Sequence, residues 1–173
     1  MSNIWDALKY SKNSSMQYNH AFDALKGYKF NGSENILDIG CGDGKITSEL
    51  AAFAPRGTVT GIDCTPQMVE YAIKNHCHVN KNLNFLIANA EDFNFDEQFN
   101  LILSFSCLHW VEDHYRVWNN IKNSISPNGK VILMFYKKHL DLWCALERTI
   151  ISDEWSPLFN GYKNPFNSFT IPL

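Results

Sequence analysis

Short apolar runs alternate with amphipathic stretches along most of this chain, and the spacing of apolar residues switches between the two. Asn35–Ile39 is a compact apolar run that leads straight into glycines, as a buried strand would. From Asp43 the period lengthens: Ile46, Leu50 and Phe53 fall on one face of a helix, which Pro55-Arg56-Gly57 ends. Residues 58–62 predict a second strand, stopping at Asp63. Thr65 is placed to cap the next helix, with Pro66 at its first position and Met68, Val69, Ala72 and Ile73 as its buried stripe. Residues 83–88 and Phe99–Phe105 predict strands three and four. Residues 111–125 predict a helix with Trp118, Ile121 and Ile125 inward, followed by a turn at Pro127-Asn128-Gly129. Residues 130–136 form a near-continuous apolar fifth strand. Ahead of all this, Ala21, Phe22 and Leu25 sit at helical spacing, so the first 30 residues predict one or two helices before a turn at Asn31-Gly32-Ser33.

Strand and helix alternate, and the strands read as buried on both faces. That pattern predicts an α/β fold with a mostly parallel sheet and helices on both faces. Right-handed crossovers then bring the strand C-termini, and any ligand, to one edge. A length of 173 residues fits one domain, with residues 1–30 as a helical cap, 31–137 as the core and 138–173 as a helix and aromatic tail. A net charge of -3 without a Lys/Arg cluster gives no nucleic-acid footprint. The first residues lack a basic n-region and an apolar h-region, so no signal peptide is expected. No apolar run approaches the roughly 20 residues that span a bilayer, so no membrane association is expected either. Five cysteines at scattered positions read as reduced thiols of a cytoplasmic protein. His76-Cys77-His78 has no second pair at zinc-type spacing, so no metal is expected.

The candidate chemistry collects at strand ends. Gly40, Gly42 and Gly44 lie between the first strand and the first core helix, where glycine admits positive φ and close approach of a ligand, and where free helix N–H groups follow. Asp38 sits inside the strand end, and a buried carboxylate is costly without a partner such as a ligand ammonium. Asp63 ends the second strand and can accept both hydroxyls of a ribose, through charge-assisted bonds of roughly 1.5–3 kcal/mol each. Asn89-Ala90-Glu91-Asp92 ends the third strand; Asn89 offers an amide oxygen to an exocyclic amine and Ala90 an N–H to a ring nitrogen. Together these features describe an adenosine site beside an amino-acid site.

The run Asp38-Ile39-Gly40-Cys41-Gly42-Asp43-Gly44 resembles motif I of the class I S-adenosylmethionine-dependent methyltransferases, and the segment from Gly61 to Met68 is similar to the next conserved stretch of that superfamily. The resemblance implies a Rossmann-like sheet. It implies that Asp38 and the glycine loop, including Cys41, hold the methionine part, that Asp63 holds the ribose, that Cys64 and Met68 flank the adenine, and that Asn89 and Ala90, with Glu91 beside them, meet its polar edge. Many members have an acid where this chain has Asn89; an amide oxygen still accepts a hydrogen bond. The run from Ser104 to Val111, with His109 and Trp110 in it, is similar to the loop after the fourth strand in small-molecule O-methyltransferases of the juvenile hormone acid and trans-aconitate type. Gln17 matches an N-terminal glutamine of that group, and Tyr10 and Tyr18 are placed to line the same pocket. The implied reaction is methyl transfer from S-adenosyl-L-methionine to a small molecule, a carboxylic acid by this resemblance, leaving S-adenosyl-L-homocysteine. His109 and Trp110 are then the candidate base and pocket wall.

Two alternatives stay open. A nicotinamide-dependent oxidoreductase would carry G-x-G-x-x-G, but the third glycine here comes one residue early, with Lys45 in the fingerprint position. A non-catalytic cofactor-binding module is the other. Class I sheets usually close with two strands after the fifth, and only about 37 residues follow Tyr136. These predict one helix, Leu140–Ile151, and an aromatic tail with Trp155, Phe159, Tyr162, Phe166 and Phe169, but no strand pair.

Overall fold

The segment Asn35–Ile39 (β1) forms the middle of the sheet, because its side chains are apolar on both faces and only a central strand can bury both. In the computed structural model, which describes residues 6–96, 98–135 and 140–161, Ile36, Leu37 and Ile39 are fully buried. Thr58–Asp63 (β2) and Leu83–Ile87 (β3) extend the sheet on one side, and Phe99–Phe105 (β4) and Ile125–Met134 (β5) on the other. The order is β3-β2-β1-β4-β5 and every pairing is parallel. The chain runs outward from β1 to β3, then returns to place β4 against β1. That reversal opens a crevice at the C-terminal ends of β1 and β4. Among the described residues no strand follows β5.

Helices cover both faces. Ser15–Leu25 (α2), Lys45–Phe53 (α3) and Pro66–His76 (α4) pack Ala21, Leu25, Leu50, Ala51, Val69 and Ala72 against Ile36, Val59, Leu101 and Leu103. His114–Ser124 (α5) packs Val117 and Ile121 against Leu37, Ile39, Phe99 and Ile102 on the opposite face. The two-residue period of β1 puts Asp38 on the same face as Ile36, towards α3. A short helix, Ala7–Asn13 (α1), precedes α2 and packs on α4. Residues 1–135 form one structural unit and residues 136–173 a second, which contains Leu140–Ile151 (α6) and a 3-10 turn, Ser156–Phe159. Tyr136, Tyr162, Phe166 and Phe169 lie outside the described residues. No helix among the described residues is long and apolar enough to cross a membrane.

The predicted strands all form, with differences at the edges. β3 and β5 are edge strands, so their outer faces are open rather than buried. Pro127-Asn128-Gly129 lies within β5, whose pairing jumps from Ile125 opposite Phe99 to Lys130 opposite Leu101, with Asn128 at φ +66°. Three residues assigned inward face out: Phe53 and Ile73 are 45 % exposed and Trp118 49 %. Phe53 stacks on Phe30 at 5.0 Å between ring centroids, and Phe30 is itself only partly buried, at the edge of the core. Trp118 faces out because α5 begins at His114, capped by Asp113 accepting from the Arg116 N–H, which turns Val117 inward instead.

Burial fixes the energetic weight of these positions. Phe99→Ala, which empties a fully buried site, is expected to cost about 3–5 kcal/mol in urea unfolding. Trp118→Ala is expected to cost under about 1 kcal/mol. Equal losses would contradict the assignment of Phe99 and Val117, rather than Trp118, to the core.

Candidate functional site

The glycine loop begins as an extension of the sheet. The N–H groups of Gly40 and Cys41 both donate to the Ile62 carbonyl, at 2.8 and 2.9 Å, and the chain then turns into α3 through Gly42 and Gly44. Gly40 has φ +78°, and a Cβ there would overlap the Cys107 side chain. Gly42 has φ +54° and meets only Tyr10, at 3.6 Å from a built Cβ. Packing therefore demands glycine at position 40, whereas at position 42 the positive φ rather than packing favours it. The backbone here is bonded rather than loose.

Three carboxylates surround the loop. Asp38 is 2 % exposed and accepts a hydrogen bond of 2.6 Å from Thr47 Oγ1, in the first turn of α3. Burial pushes its carboxyl up to about 6; the Thr47 bond pulls it back and the charge of Asp63 adds to the rise. Asp63 bridges two loops: one oxygen accepts from the Gly42 N–H at 3.0 Å and the other from the Thr65 N–H at 2.8 Å. That second bond occupies Thr65, which starts α4 ahead of Pro66 without a side-chain capping bond. Asp43 accepts from Ser14 Oγ at 3.3 Å and from the Lys45 N–H at 3.2 Å, tying the N-terminal helices to the loop.

Beside the loop lies a cavity of about 290 Å³. Gly40, Asp63, Cys64, Ala88, Asn89 and Ala90 form one side, and Cys107 with Trp110, Val111 and Glu112 the other. The volume matches the lower end of the roughly 300–1,000 Å³ of small-molecule sites. Its two sides are fastened together by Glu91, one of whose oxygens accepts from the N–H groups of Glu112 and Asp113 at 2.9 and 2.8 Å. Asn89 turns its amide oxygen onto the Glu91 N–H at 2.9 Å, which shapes the loop after β3. Asn120 donates to the Ala90 carbonyl at 3.1 Å, fixing that loop to α5.

The loop after β4 supplies the far wall. Ser104 is buried and donates to the Ile39 carbonyl at 2.8 Å, holding the ends of β4 and β1 together. Burial pushes the Cys107 thiol up to about 12, with the charge of Asp63 next in effect, so it stays protonated at neutral pH. His109 is buried with its ring centroid 5.3 Å from that of Trp110, and burial lowers its pKa, so the neutral imidazole is favoured. Trp110 itself is 42 % exposed at the cavity rim.

One cavity thus brings together Gly40, Asp63, Cys64, Asn89, Ala90, Glu91 and Trp110. Asp38, Cys41, Gly42 and Gly44 build the loop beside it. Met68 is buried on α4 and, like Ser104 and His109, is not among the cavity-lining side chains. Gln17 is on α2, with its side-chain oxygen buried and making no hydrogen bond. Tyr18 packs against Phe22 with the two rings tilted by 44°, and lies under the Lys45 ammonium, 4.7 Å from the ring centre. Sequence reasoning missed Thr47, Ser14 and Glu112, and gave no role to Cys107 and Val111 within the run from Ser104 to Val111. Thr47 had a signal, a hydroxyl one turn into the helix that follows a buried acid; the others depend on contacts across the fold.

These residues fit a cofactor with a cationic amino-acid end and an adenosine end. The buried Asp38, raised by desolvation, gains from a nearby cation, and the Asp63 side of the cavity has room for a nucleoside. The chain belongs to the methyltransferase domain family, whose model matches residues 30–161, and to its class I S-adenosylmethionine-dependent members. It is 27% identical over 163 residues, 94% of this chain and 60% of the other, to protein 235L of Invertebrate iridescent virus 6, whose name assigns it to the methyltransferases. It is 26% identical over 144 residues, 80% of this chain and 52% of the other, to juvenile hormone acid O-methyltransferase of Bombyx mori. The fold is shared with a SAM-dependent methyltransferase of Aquifex aeolicus, at a TM-score of 0.68 and 21% identity, covering 78% of this chain and 75% of that one. The chain spans about half to three fifths of the length of these two curated relatives. S-adenosylmethionine is the cofactor of this class.

The Asp38 carboxyl links the site to stability. Its pKa is about 6 in the folded chain against an ordinary value of 3.8. Between those values the folded chain holds a proton that the unfolded chain has lost, so stability falls as pH rises through this window and stays reduced above it. Asp38→Asn without cofactor is therefore expected to be more stable than the natural chain by about 1–3 kcal/mol at pH 7.5, with no gain at pH 4, in urea unfolding. A loss, or a gain independent of pH, would contradict burial as the cause.

Proposed function

We propose that the chain transfers a methyl group from S-adenosylmethionine to a small molecule, and that the acceptor atom is a carboxylate oxygen. The observation that carries this reading is the buried Asp38 carboxylate beside a glycine loop bonded to β2, with the Asp63-lined cavity adjoining it. A carboxylate acceptor is supported by the named activity of the Bombyx mori relative, O-methylation of juvenile hormone acid.

In this reading Asp38, Cys41 and the glycines at 40, 42 and 44 hold the amino-acid end of the cofactor. Asp63 takes the ribose hydroxyls, and Cys64, Asn89 and Ala90 meet the adenine. Met68, Ser104 and Glu91 act by holding this surface in shape: Met68 from within α4, Ser104 through the Ile39 carbonyl, Glu91 through the amides of Glu112 and Asp113. Trp110 and Gln17 face the substrate, with His109 behind Trp110. When bound, the cofactor supplies a sulfonium methyl; the oxygen–carbon bond forms as the sulfur–carbon bond breaks, leaving S-adenosylhomocysteine.

The chain's own contribution is orientation and exclusion of water. A carboxylate is ionised at neutral pH and needs no base, which agrees with a buried histidine outside the cavity lining. A hydroxyl acceptor would make His109 worth about 10²–10⁴-fold.

Production of S-adenosylhomocysteine against panels of carboxylic acids, alcohols and amines tests this. Turnover is expected with a carboxylic acid, and His109→Asn is expected to keep that rate within about tenfold. A loss of about 10²-fold or more would identify His109 as a base and the acceptor as a protonated group. Cofactor binding without turnover on any class would favour a non-catalytic binding module.

A further inference from the structure

Ser106 is where β4 leaves the sheet. Its N–H donates to the Met134 carbonyl at 2.8 Å, just beyond the pairing of Phe105 with Met134, and its φ is +54°. The other non-glycine residue with positive φ among the described residues is Asn128, of a type that tolerates the left-handed region; serine visits it less readily. Backbone strain of this kind gathers at functional sites. The side chain adds a second cost: Ser106 Oγ is buried and makes no hydrogen bond among the described residues. Alanine would bury no polar atom and glycine would carry no strain, so packing alone does not account for serine here.

Cys107, the next residue, fills the space beside Gly40, and Trp110 stands at the cavity rim, so Ser106 lies between the cofactor loop and β5. Helix α2 packs on β5 and runs antiparallel to it. Tyr28, just past the end of α2, lies under the Lys130 ammonium at 5.6 Å, while Ser14, at its start, is bonded to Asp43 of the glycine loop. Gln17 is therefore carried at the same end of the sheet as Ser106, and its Oε1 is likewise buried without a hydrogen bond. Two side chains at that end thus have polar atoms short of partners. A serine O–H donates one hydrogen bond, and the Gln17 amide donates through its nitrogen once turned over. Two such donors match the two oxygens of a carboxylate, and bonds to a charged acceptor are the stronger kind.

We propose that Ser106 is an acceptor-binding residue, whose hydroxyl donates to the carboxylate of the molecule that is methylated. The proposal rests on the carboxylate reading above and names a residue that selects for it. The bond is made to a charged oxygen in the acceptor and to a neutral ester in the product, so it strengthens acceptor binding and loosens as the charge is lost. Its loss is therefore read in KM for the acceptor rather than in kcat. Cofactor binding does not draw on it, since the lining of the cavity at Asp63 does not include Ser106.

Steady-state kinetics with the carboxylic acid that turns over fastest, alongside calorimetry with S-adenosylhomocysteine, separate acceptor from cofactor. Ser106→Ala is expected to raise KM for the acid at least about tenfold, a change of about 1.4 kcal/mol, with kcat within about threefold and S-adenosylhomocysteine affinity within about twofold. Ser106→Gly, which admits the positive φ freely, is expected to show the same rise and covers the case in which the alanine variant does not fold. An unchanged KM, or a matching loss of S-adenosylhomocysteine affinity, would overturn the role of Ser106 while leaving the carboxylate reading intact. Turnover of no acid, with or without turnover of alcohols or amines, would overturn the carboxylate reading beneath it, and this proposal with it.

Discussion

The bonding of the glycine loop to β2 holds the whole site in register. Two successive amides, of Gly40 and Cys41, share the Ile62 carbonyl, and the next, of Gly42, is taken by the Asp63 carboxylate. The loop is therefore fixed by the parallel pairing of β1 with β2 before any ligand arrives. Gly40 must lack a side chain because Cys107, at the end of β4, occupies the space. Moving either strand would move the loop. Fixing the backbone in advance lowers the ordering cost of binding, which is the advantage of preorganisation.

Electrostatics follow from the same frame. Asp38, Asp43 and Asp63 converge because β1 and β2 end together and the loop carries Asp43 between them. Burial raises the carboxyl of Asp38, so the site stores an unfavourable charge that a cation relieves. The N-terminal helices add to this enclosure through Ser14 and Tyr10. The opposite wall is closed by Glu91, whose carboxylate holds the backbone of Glu112 and Asp113. Asp63 and Glu91 each fasten two loops, and the cavity lies between them.

Much of this was legible in the sequence where local pattern decides. The five strands, the parallel arrangement and the helix start at Pro66 follow from apolar runs, alternation and the fixed φ of proline. The glycine loop and its flanking acids were readable because that chemistry needs those residues in contiguous order. Phe53, Ile73 and Trp118 were misplaced for a common reason: helical spacing identifies an apolar face but not its outer margin. The margin depends on where the helix starts and on which aromatic neighbours lie at the edge of the core. The roles of Ser104, Glu91 and Thr47 depend on partners brought near by the fold, at Ile39, at Glu112 and Asp113, and at Asp38. Tyr10 could be suspected as a pocket residue, but its place over Gly42 depends on the docking of α1 against α4, which no local spacing encodes.

The loop and its acids suit an amino-acid-bearing adenosine cofactor rather than a dinucleotide. Parallel calorimetric titrations of the natural chain with S-adenosylmethionine and with NAD distinguish the two. One molecule of S-adenosylmethionine is expected to bind per chain, with NAD at least about a hundredfold weaker, a difference of roughly 2.7 kcal/mol. Binding of NAD as tight as or tighter than S-adenosylmethionine would overturn this assignment of the site.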